Sequence, residues 1–430
     1  MLNETHDPAQ RSWVASANVE NTDFPIQNLP FGVLSGGGGD TSDGRIGVAI
    51  GESILDLRAV SAAGLLAHLE PEIVRACESS TLNALMQQGR RSWSPLRLAL
   101  SRLLREGSPS QDRLRSCMVP QKDAALGLPA SIGDFTDFFA SVHHASRAGA
   151  TVRPDQPLLP NYDWIPIAYH GRSSSVRAGP VTIVRPRGQI MHSGAALPVF
   201  QPTGKLDYEA ELGFFVGPGN ALGEPIGMGQ ADEQIFGLCL LNDWSARDIQ
   251  SWESKPLGPF LAKNFATVIS PWVVTWEALE PYRVPWQRGE RTLLGYLQSE
   301  DNERDGGIDI QISVELQSAL MRAQGMQALR ISTTSSRHGH WSLAQMVAHH
   351  TSNGCDLRPG DLIGTGTQSG PAVQEAGCLL ELTASEPLHL PTGERRKFVE
   401  DGDAIRLAGR CSRPGYRSIG FGQCVTLISA

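Results

Sequence analysis

No run of about 18 consecutive apolar residues occurs in the chain, so no membrane-spanning helix is expected. Basic runs are also missing. The formal net charge is −8, and no stretch of lysine and arginine is long enough to follow a phosphate backbone, which argues against a nucleic-acid partner. The N-terminus, Met1-Leu-Asn-Glu-Thr-His6, has neither the basic nor the apolar region of a secretory signal. No Cys-x-x-Cys pair exists among Cys77, Cys117, Cys239, Cys355, Cys378, Cys411 and Cys424, which are scattered and odd in number. They read as reduced thiols of a cytoplasmic protein, mostly core filler. There is no internal repeat, and no Gly-Lys-Ser/Thr that would close a phosphate loop.

What is present is ordinary for a globular chain: 430 residues, 40% hydrophobic and 19% charged. That length allows two or three domains and a large core without staples. The 45 glycines and 28 prolines favour turns and short strands over long helices. Residues 1 to about 20 are polar and expected to be loose. Residues 31–34 and 45–50 are strand-like and flank Gly36 to Gly39, which reads as a hairpin with a flexible tip. Between 59 and 106, Leu65, Leu66, Leu69 and Ile73, then Leu96, Leu98, Leu100, Leu103 and Leu104, recur at helical spacing. A polar stretch from Glu106 to Arg113 follows, and a boundary is expected near 118–130, dividing the chain into 1–125 and 126–430. Beyond it, short β-like runs recur at 181–184, 211–216, 235–241, 272–275, 308–314, 379–382 and 404–407. This predicts a mixed, β-rich catalytic domain, with helices at 136–148, 243–253 and 342–352.

Carboxylates gather in this second part. In a helix over 136–148, closed by Gly149, Asp137 and His144 are two turns apart and share a face. That suits a metal ligand beside a general base; it also suits a solvated helix with an acid near its start. In a strand over 206–216, Leu206, Tyr208, Ala210, Leu212, Phe214 and Val216 face one way. Asp207, Glu209 and Glu211 face the other. Two glutamates at i and i+2 repel unless they are solvated or share a cation, and a hard divalent ion is the natural partner. Asp243, Arg247 and Gln250 follow an apolar run at i, i+4 and i+7. They could hold a metal and an oxyanion together, or form a simple acid–arginine helix pair. A stiff loop with two X-Pro steps precedes Lys263 and would position it sharply. Arg358-Pro-Gly-Asp361 reads as a tight turn into a strand. The run Gly364-Thr-Gly-Thr-Gln-Ser-Gly370 offers N–H groups and hydroxyls to an anionic ligand. Glu381, inside an apolar run, needs a buried partner, for which His144 is the candidate.

These motifs together are more specific than any one of them. They comprise Gly133-Asp-Phe-Thr-Asp-Phe138, His144-Ala, Tyr169-His-Gly-Arg-Ser-Ser-Ser175, Asp207-Tyr-Glu-Ala-Glu211 and Phe214-Phe-Val-Gly-Pro-Gly-Asn220. They continue with Leu241-Asn-Asp-Trp-Ser-Ala-Arg-Asp-Ile-Gln250, Pro256-Leu-Gly-Pro-Phe-Leu-Ala-Lys263, Leu357-Arg-Pro-Gly-Asp361 and Gly415-Tyr-Arg-Ser-Ile-Gly-Phe-Gly-Gln-Cys424. From about residue 130 to the end, and more weakly before it, the chain resembles the fumarylacetoacetate hydrolase family in its long two-domain form.

The resemblance implies a small N-terminal SH3-like barrel, a C-terminal mixed β-sandwich roll and a homodimer. It implies hydrolysis of a carbon–carbon bond in an acidic β-diketone, giving fumarate and acetoacetate in tyrosine and phenylalanine breakdown. By position, Asp137, Glu209, Glu211 and Asp243 match ligands of Mg²⁺ or Ca²⁺, oxygen donors being suited to either ion. His144 matches the general base and Glu381 its orienting acid. Arg247, Gln250 and Lys263 match oxyanion donors. Arg153, Tyr169 and Thr367 match substrate contacts, and Lys263 and Thr267 flank a second, weaker ion site. Phe139 and Ser254 stand at substrate-contact positions where the family commonly has tyrosines, and Ala266 where it has glycine. These departures leave open an acylpyruvate hydrolase or a 2-oxo-diacid decarboxylase with the same metal site. A third reading is an inactive metal-dependent dicarboxylate binder. The joint presence of His144, Glu381 and Lys263 argues against the binder, which needs no water-activating pair.

Overall fold

The computed structural model describes residues 2–35, 43–286 and 293–430. The Gly36 to Gly39 tip of the expected hairpin lies outside the described residues. Its flanking strands, Phe31–Leu34 and Arg45–Ile50, pair antiparallel with Phe31 opposite Val48. Ser53–Asp56 and Met118–Pro120 extend them to a four-stranded antiparallel sheet. The region expected to be helical holds four helices, Leu57–Ala62, Pro71–Cys77, Asn83–Met86 and Arg90–Leu104. The last turns Leu96, Leu100, Leu103 and Leu104 into the core.

The start of the chain is not loose. Two short 3₁₀ turns, Glu4–His6 and Ala15–Asn18, are tied down. His6 is buried, with Nε2 2.8 Å from the Glu277 carbonyl, and Asn3 donates to Glu277 Oε1 at 2.8 Å. Polarity misled here: both polar side chains bond to the part of the chain beyond residue 130, His6 from a buried position and Asn3 from an exposed one.

The part beyond about residue 130 is built on an eight-stranded mixed sheet. Its main path runs Ala168–Gly171, Phe135–Phe138, Leu362–Gly364, Ala210–Val216, Ile235–Asp243, Thr267–Ile269, Val176–Ala178. Both faces are covered. Leu212, Phe214, Leu238 and Leu240 pack into the core shared with a second, five-stranded sheet. Phe215, Phe236, Cys239 and Leu241 pack into the core shared with the N-terminal helices. That is why 235–241 reads as an unbroken apolar run and not an alternating one.

Two of the three expected helices begin elsewhere. Residues 135–138 are a strand, parallel to Leu362–Gly364, and the helix runs Val142–Val152 with Ser141 as its N-cap. Gly149 lies inside that helix and is not its end. A Cβ there would stand 2.0 Å from the Pro157 carbonyl oxygen, so close approach, and not a cap, requires the glycine. The 243–253 segment stays extended through Asp243, and its helix is Arg247–Glu253. Residues 342–352 do form a helix, Leu343–Thr351, with a Ser342–Gln345 capping box. The β-like run 379–382 is a single helical turn, Leu379–Leu382. The Asp207 carboxylate accepts the N–H groups of Leu379 and Leu380 at 2.8 and 3.0 Å, which a strand would have spent on a ladder.

Candidate active site

Strand ends and two helix starts converge on a cavity of about 650 Å³. Asp137 enters from the strand Phe135–Phe138, beside Tyr169 on its neighbour. Glu209 and Glu211 come from beyond Leu362–Gly364, the next strand but one, on a segment that breaks at 208–209 between Leu206–Asp207 and Ala210–Val216. Asp243 closes the strand Ile235–Asp243, opposite Thr267. Asp137 and His144 therefore do meet at one site, but from a strand and a helix and not from one helical face.

Oxygens of Asp137, Glu211 and Asp243 lie within 4.8 Å of one another, all buried. Asp137 Oδ1 accepts the Gly366 N–H at 3.1 Å. Asp243 accepts from Tyr169 Oη at 2.6 Å, Lys263 Nζ at 2.7 Å and Thr267 Oγ1 at 2.8 Å. Neither oxygen of Glu211 has a hydrogen-bond partner. Burial, then the charges of Asp137 and Asp243, push the Glu211 carboxyl well above the usual range. Burial and Asp243 do the same to Asp137. Gly364 keeps this corner open: a Cβ there would come 2.3 Å from Asp137 Oδ1 and 3.2 Å from Glu211 Oε2. Three converging acids, of which Glu211 has both oxygens unbonded, form around this corner an all-oxygen set that fits a hard divalent cation.

Glu209 stands apart from that trio. Arg247 Nη1 donates to its Oε1 at 2.7 Å and Lys263 bonds to its Oε2. Burial works against its charge, but Lys263 and Arg247 outweigh burial and hold the carboxyl far below its ordinary value. Burial likewise opposes charge on Lys263, yet Asp243 and Glu209 raise its pKa. Four acids thus face two cations, and Arg247 is also shared with Asp207 at 3.0 Å. That leaves an excess of negative charge for a metal to balance.

His144 and Glu381 are paired as expected: Nδ1 lies 2.6 Å from Oε1, and both side chains are buried. Burial opposes ionisation of Glu381, but His144, Ser369 and Arg147 bring its pKa down to about 2. An imidazole whose Nδ1 faces a carboxylate carries its proton there, leaving Nε2 to accept one. Nε2 is 4.0 Å from Glu209 Oε1.

Phe139, Arg153, Gln250, Ser254 and Thr367 line the same cavity, with Tyr169 and Lys263. Gln250 Oε1 accepts from Arg247 Nη1 at 3.3 Å, which leaves its amide N–H groups to donate. Ser254 spends its hydroxyl on the Gln250 carbonyl. The Phe139 ring stands edge-on to His144, centroids 5.3 Å apart. Ala266 is buried in the core outside the cavity wall. The 364–370 loop mostly serves the protein's own groups: Gly366 bonds to Asp137, Ser369 bonds to Glu381, and Thr367 lines the cavity.

Sequence reasoning missed Arg147, Ser369 and Asp207 as partners of Glu381 and Arg247. Arg147 follows His144 by three residues, so the helical spacing was a usable signal. All seven cysteines are free thiols, six of them buried.

Comparison with known proteins gives concordant matches. The fumarylacetoacetate (FAA) hydrolase C-terminal model matches residues 135–428, and the fumarylacetoacetase N-terminal model matches residues 27–129. The chain is 44% identical over 413 residues to a fumarylacetoacetase of Arabidopsis thaliana, covering 94% of this chain and 95% of the relative. It is 43% identical over 422 residues to that of Homo sapiens, covering 94% and 96%. For Oryza sativa subsp. japonica the figures are 42% over 408 residues, covering 93% of each.

Proposed function

The chain belongs to the fumarylacetoacetate hydrolase family, and from that premise we propose that it is a fumarylacetoacetase, hydrolysing 4-fumarylacetoacetate to fumarate and acetoacetate. The observation that carries the reading is the pairing, over one cavity, of the His144–Glu381 dyad with the buried acids Asp137, Glu211 and Asp243. A metal-dependent C–C hydrolase needs both, and a binder would need only the second.

Asp137, Glu211 and Asp243 would hold the cation, with Glu209 as the fourth carboxylate. Oxygen donors alone favour Mg²⁺ or Ca²⁺. The ion would supply Lewis-acid polarisation of the diketone oxygens. The side chains do the rest. His144 Nε2 takes a proton from the attacking water while Glu381 steadies the imidazolium. Lys263, Arg247 and the Gln250 amide stabilise the oxyanion that forms on the attacked carbonyl. The C–C bond then breaks, its electron pair leaves as the acetoacetate enolate, and the proton held by His144 can be returned to that carbon. Lys263 and Tyr169 hold Asp243 by Oδ2, and Thr267 holds it by Oδ1. Arg153 and Thr367 are read as substrate contacts at the cavity wall.

A second reading has a specific observation behind it. Phe139 offers no hydroxyl and Ser254 turns its own onto the Gln250 carbonyl, so neither of these two wall positions presents a free hydroxyl to the substrate. A related acylpyruvate or other β-diketo-acid hydrolase would tolerate that. Product analysis on purified, metal-loaded enzyme with 4-fumarylacetoacetate against acylpyruvates decides between them. Equal quantities of fumarate and acetoacetate are expected, and faster turnover of acylpyruvates would overturn the assignment.

The working unit is read as a homodimer. Leu197, Phe200, Trp252, Leu257 and Phe260 are exposed on the 187–202 hairpin, the helix Arg247–Glu253 and the loop after it. These elements are bonded together, Trp252 to Gln189 and Phe260 N–H to Glu253. An apolar face of this kind suits a second copy. A dimer mass in light scattering, lost in Phe260→Glu, is the expected result. No helix among the described residues is long and apolar enough to cross a membrane. Free thiols suit a reducing cytoplasm as the place of action.

A further inference from the structure

Glu381 is held on both carboxylate oxygens. Oε1 takes His144 Nδ1 at 2.6 Å and Ser369 Oγ at 2.8 Å, with Cys378 Sγ at 3.3 Å. Oε2 accepts from Arg147 Nη1 at 3.0 Å. The other terminal nitrogen of the same guanidinium donates to the carbonyls of Gly370 and Pro371, at 3.0 and 2.6 Å. Arg147 thus joins three elements: the helix that carries His144, the single turn that carries Glu381, and the loop that carries Thr367 and Ser369.

We propose that Arg147 is a positioning residue for the hydrolysis, locking the Glu381 carboxylate, and through it the His144 ring, in the orientation that accepts a proton from water. The proposal rests on the reading of His144 as the base. A carboxylate's terminal torsion is broad, so donors crowded on Oε1 alone leave the group free to twist. A donor on Oε2 removes that freedom. The planar fork of arginine reaches the carboxylate and two carbonyls from one rigid group, which a lysine ammonium cannot. Arg147 lies one helical turn after His144, on the same face, so the base and its tie move together. Glu381 is 1% exposed while Arg147 is 26% exposed, so the cation reaches the pair from outside and leaves the catalytic face of the imidazole clear.

The test is steady-state kinetics of the full-length, metal-saturated enzyme on 4-fumarylacetoacetate. The variants are Arg147→Met, Arg147→Lys, Glu381→Gln, the Arg147→Met/Glu381→Gln double and His144→Gln. Arg147→Met is expected to lower kcat roughly 10- to 100-fold with KM changed by no more than about twofold, and Arg147→Lys to recover part of the loss. In the Glu381→Gln background Arg147→Met is expected to cost nothing further, because it acts through that carboxylate. An unchanged kcat in Arg147→Met overturns the proposal. So does a loss that is the same in both backgrounds and follows the melting temperature. The His144→Gln variant separates the two readings. Full turnover there removes the base assignment itself, whereas an inactive His144→Gln beside an unimpaired Arg147→Met removes only the role of Arg147.

Discussion

Asp137 and Glu211 bring carboxylate oxygens within 4.8 Å of each other in a buried corner where Glu211 has no hydrogen-bond partner. Burial and neighbouring acids raise both carboxyls well above their ordinary values. In the unfolded chain they ionise near pH ~4. Above that pH and below their folded values, the folded state keeps protons that the unfolded chain has released. Metal-free stability therefore falls as pH rises through that window. A cation needs both groups deprotonated, so its affinity climbs over the same window. The gain in melting temperature on adding Mg²⁺ or Ca²⁺ is expected to be larger at about pH 8 than at about pH 6. Equal or smaller gains at the higher pH, by scanning calorimetry, would refute this linkage.

Replacing Glu211 by Gln tests the same corner from the other side. The substitution removes a buried carboxyl without hydrogen bonds and supplies an amide that can donate to Asp137. The metal-free protein is expected to gain on the order of 1–3 kcal/mol, the scale of an unsatisfied buried group. Its response to added cation should vanish, and turnover with it. A chelator-treated variant that melts below the parent would show that Glu211 is not strained in the empty site.

How much of this was readable in the residues varies with the kind of signal. The His144–Glu381 pair, 237 positions apart, was legible because an acid in an apolar run demands a partner and few side chains can serve. The three-acid corner was legible from the Glu-x-Glu spacing and from an Asp ending an apolar strand. The local structure around Asp137 was not. Phe135-Thr-Asp-Phe-Phe can be read with either period, and only pairing with Leu362–Gly364 and Ala168–Gly171 decides for a strand. The partition of Glu209 toward Lys263 and Arg247 was unreadable, since it follows from the break at 208–209 and not from any spacing.

Gly149 links the fold to the base. Its missing Cβ makes room for the Pro157 carbonyl at what would be 2.0 Å, and the obstacle is backbone, so it has little freedom to move. Gly149→Ala is expected to cost about 1–3 kcal/mol in overpacking, less the small gain in helix propensity. The strain falls on the helix that carries His144, so kcat should drop while metal binding stays as it was. Thermal melts and kinetics of the variant check both; a variant more stable than the parent would mean that the 157 carbonyl yields freely.

The sharpest division of labour is between His144 and Asp243. The imidazole is not part of the three-acid corner, and its Nε2 lies 4.0 Å from Glu209 Oε1. His144→Ala should therefore lose roughly 10²- to 10⁴-fold in turnover, the usual worth of a general base, while calorimetric metal binding persists. Asp243→Ala should behave differently. It strips one of the three converging acids and leaves Lys263, Tyr169 and Thr267 without their common acceptor. Metal binding and turnover are expected to disappear together. Substantial hydrolysis by His144→Ala would reassign the base. Activity in an Asp243→Ala enzyme shown by elemental analysis to be metal-free would mean that the buried acids exist to bind Lys263 and Arg247, and that those cations alone stabilise the oxyanion.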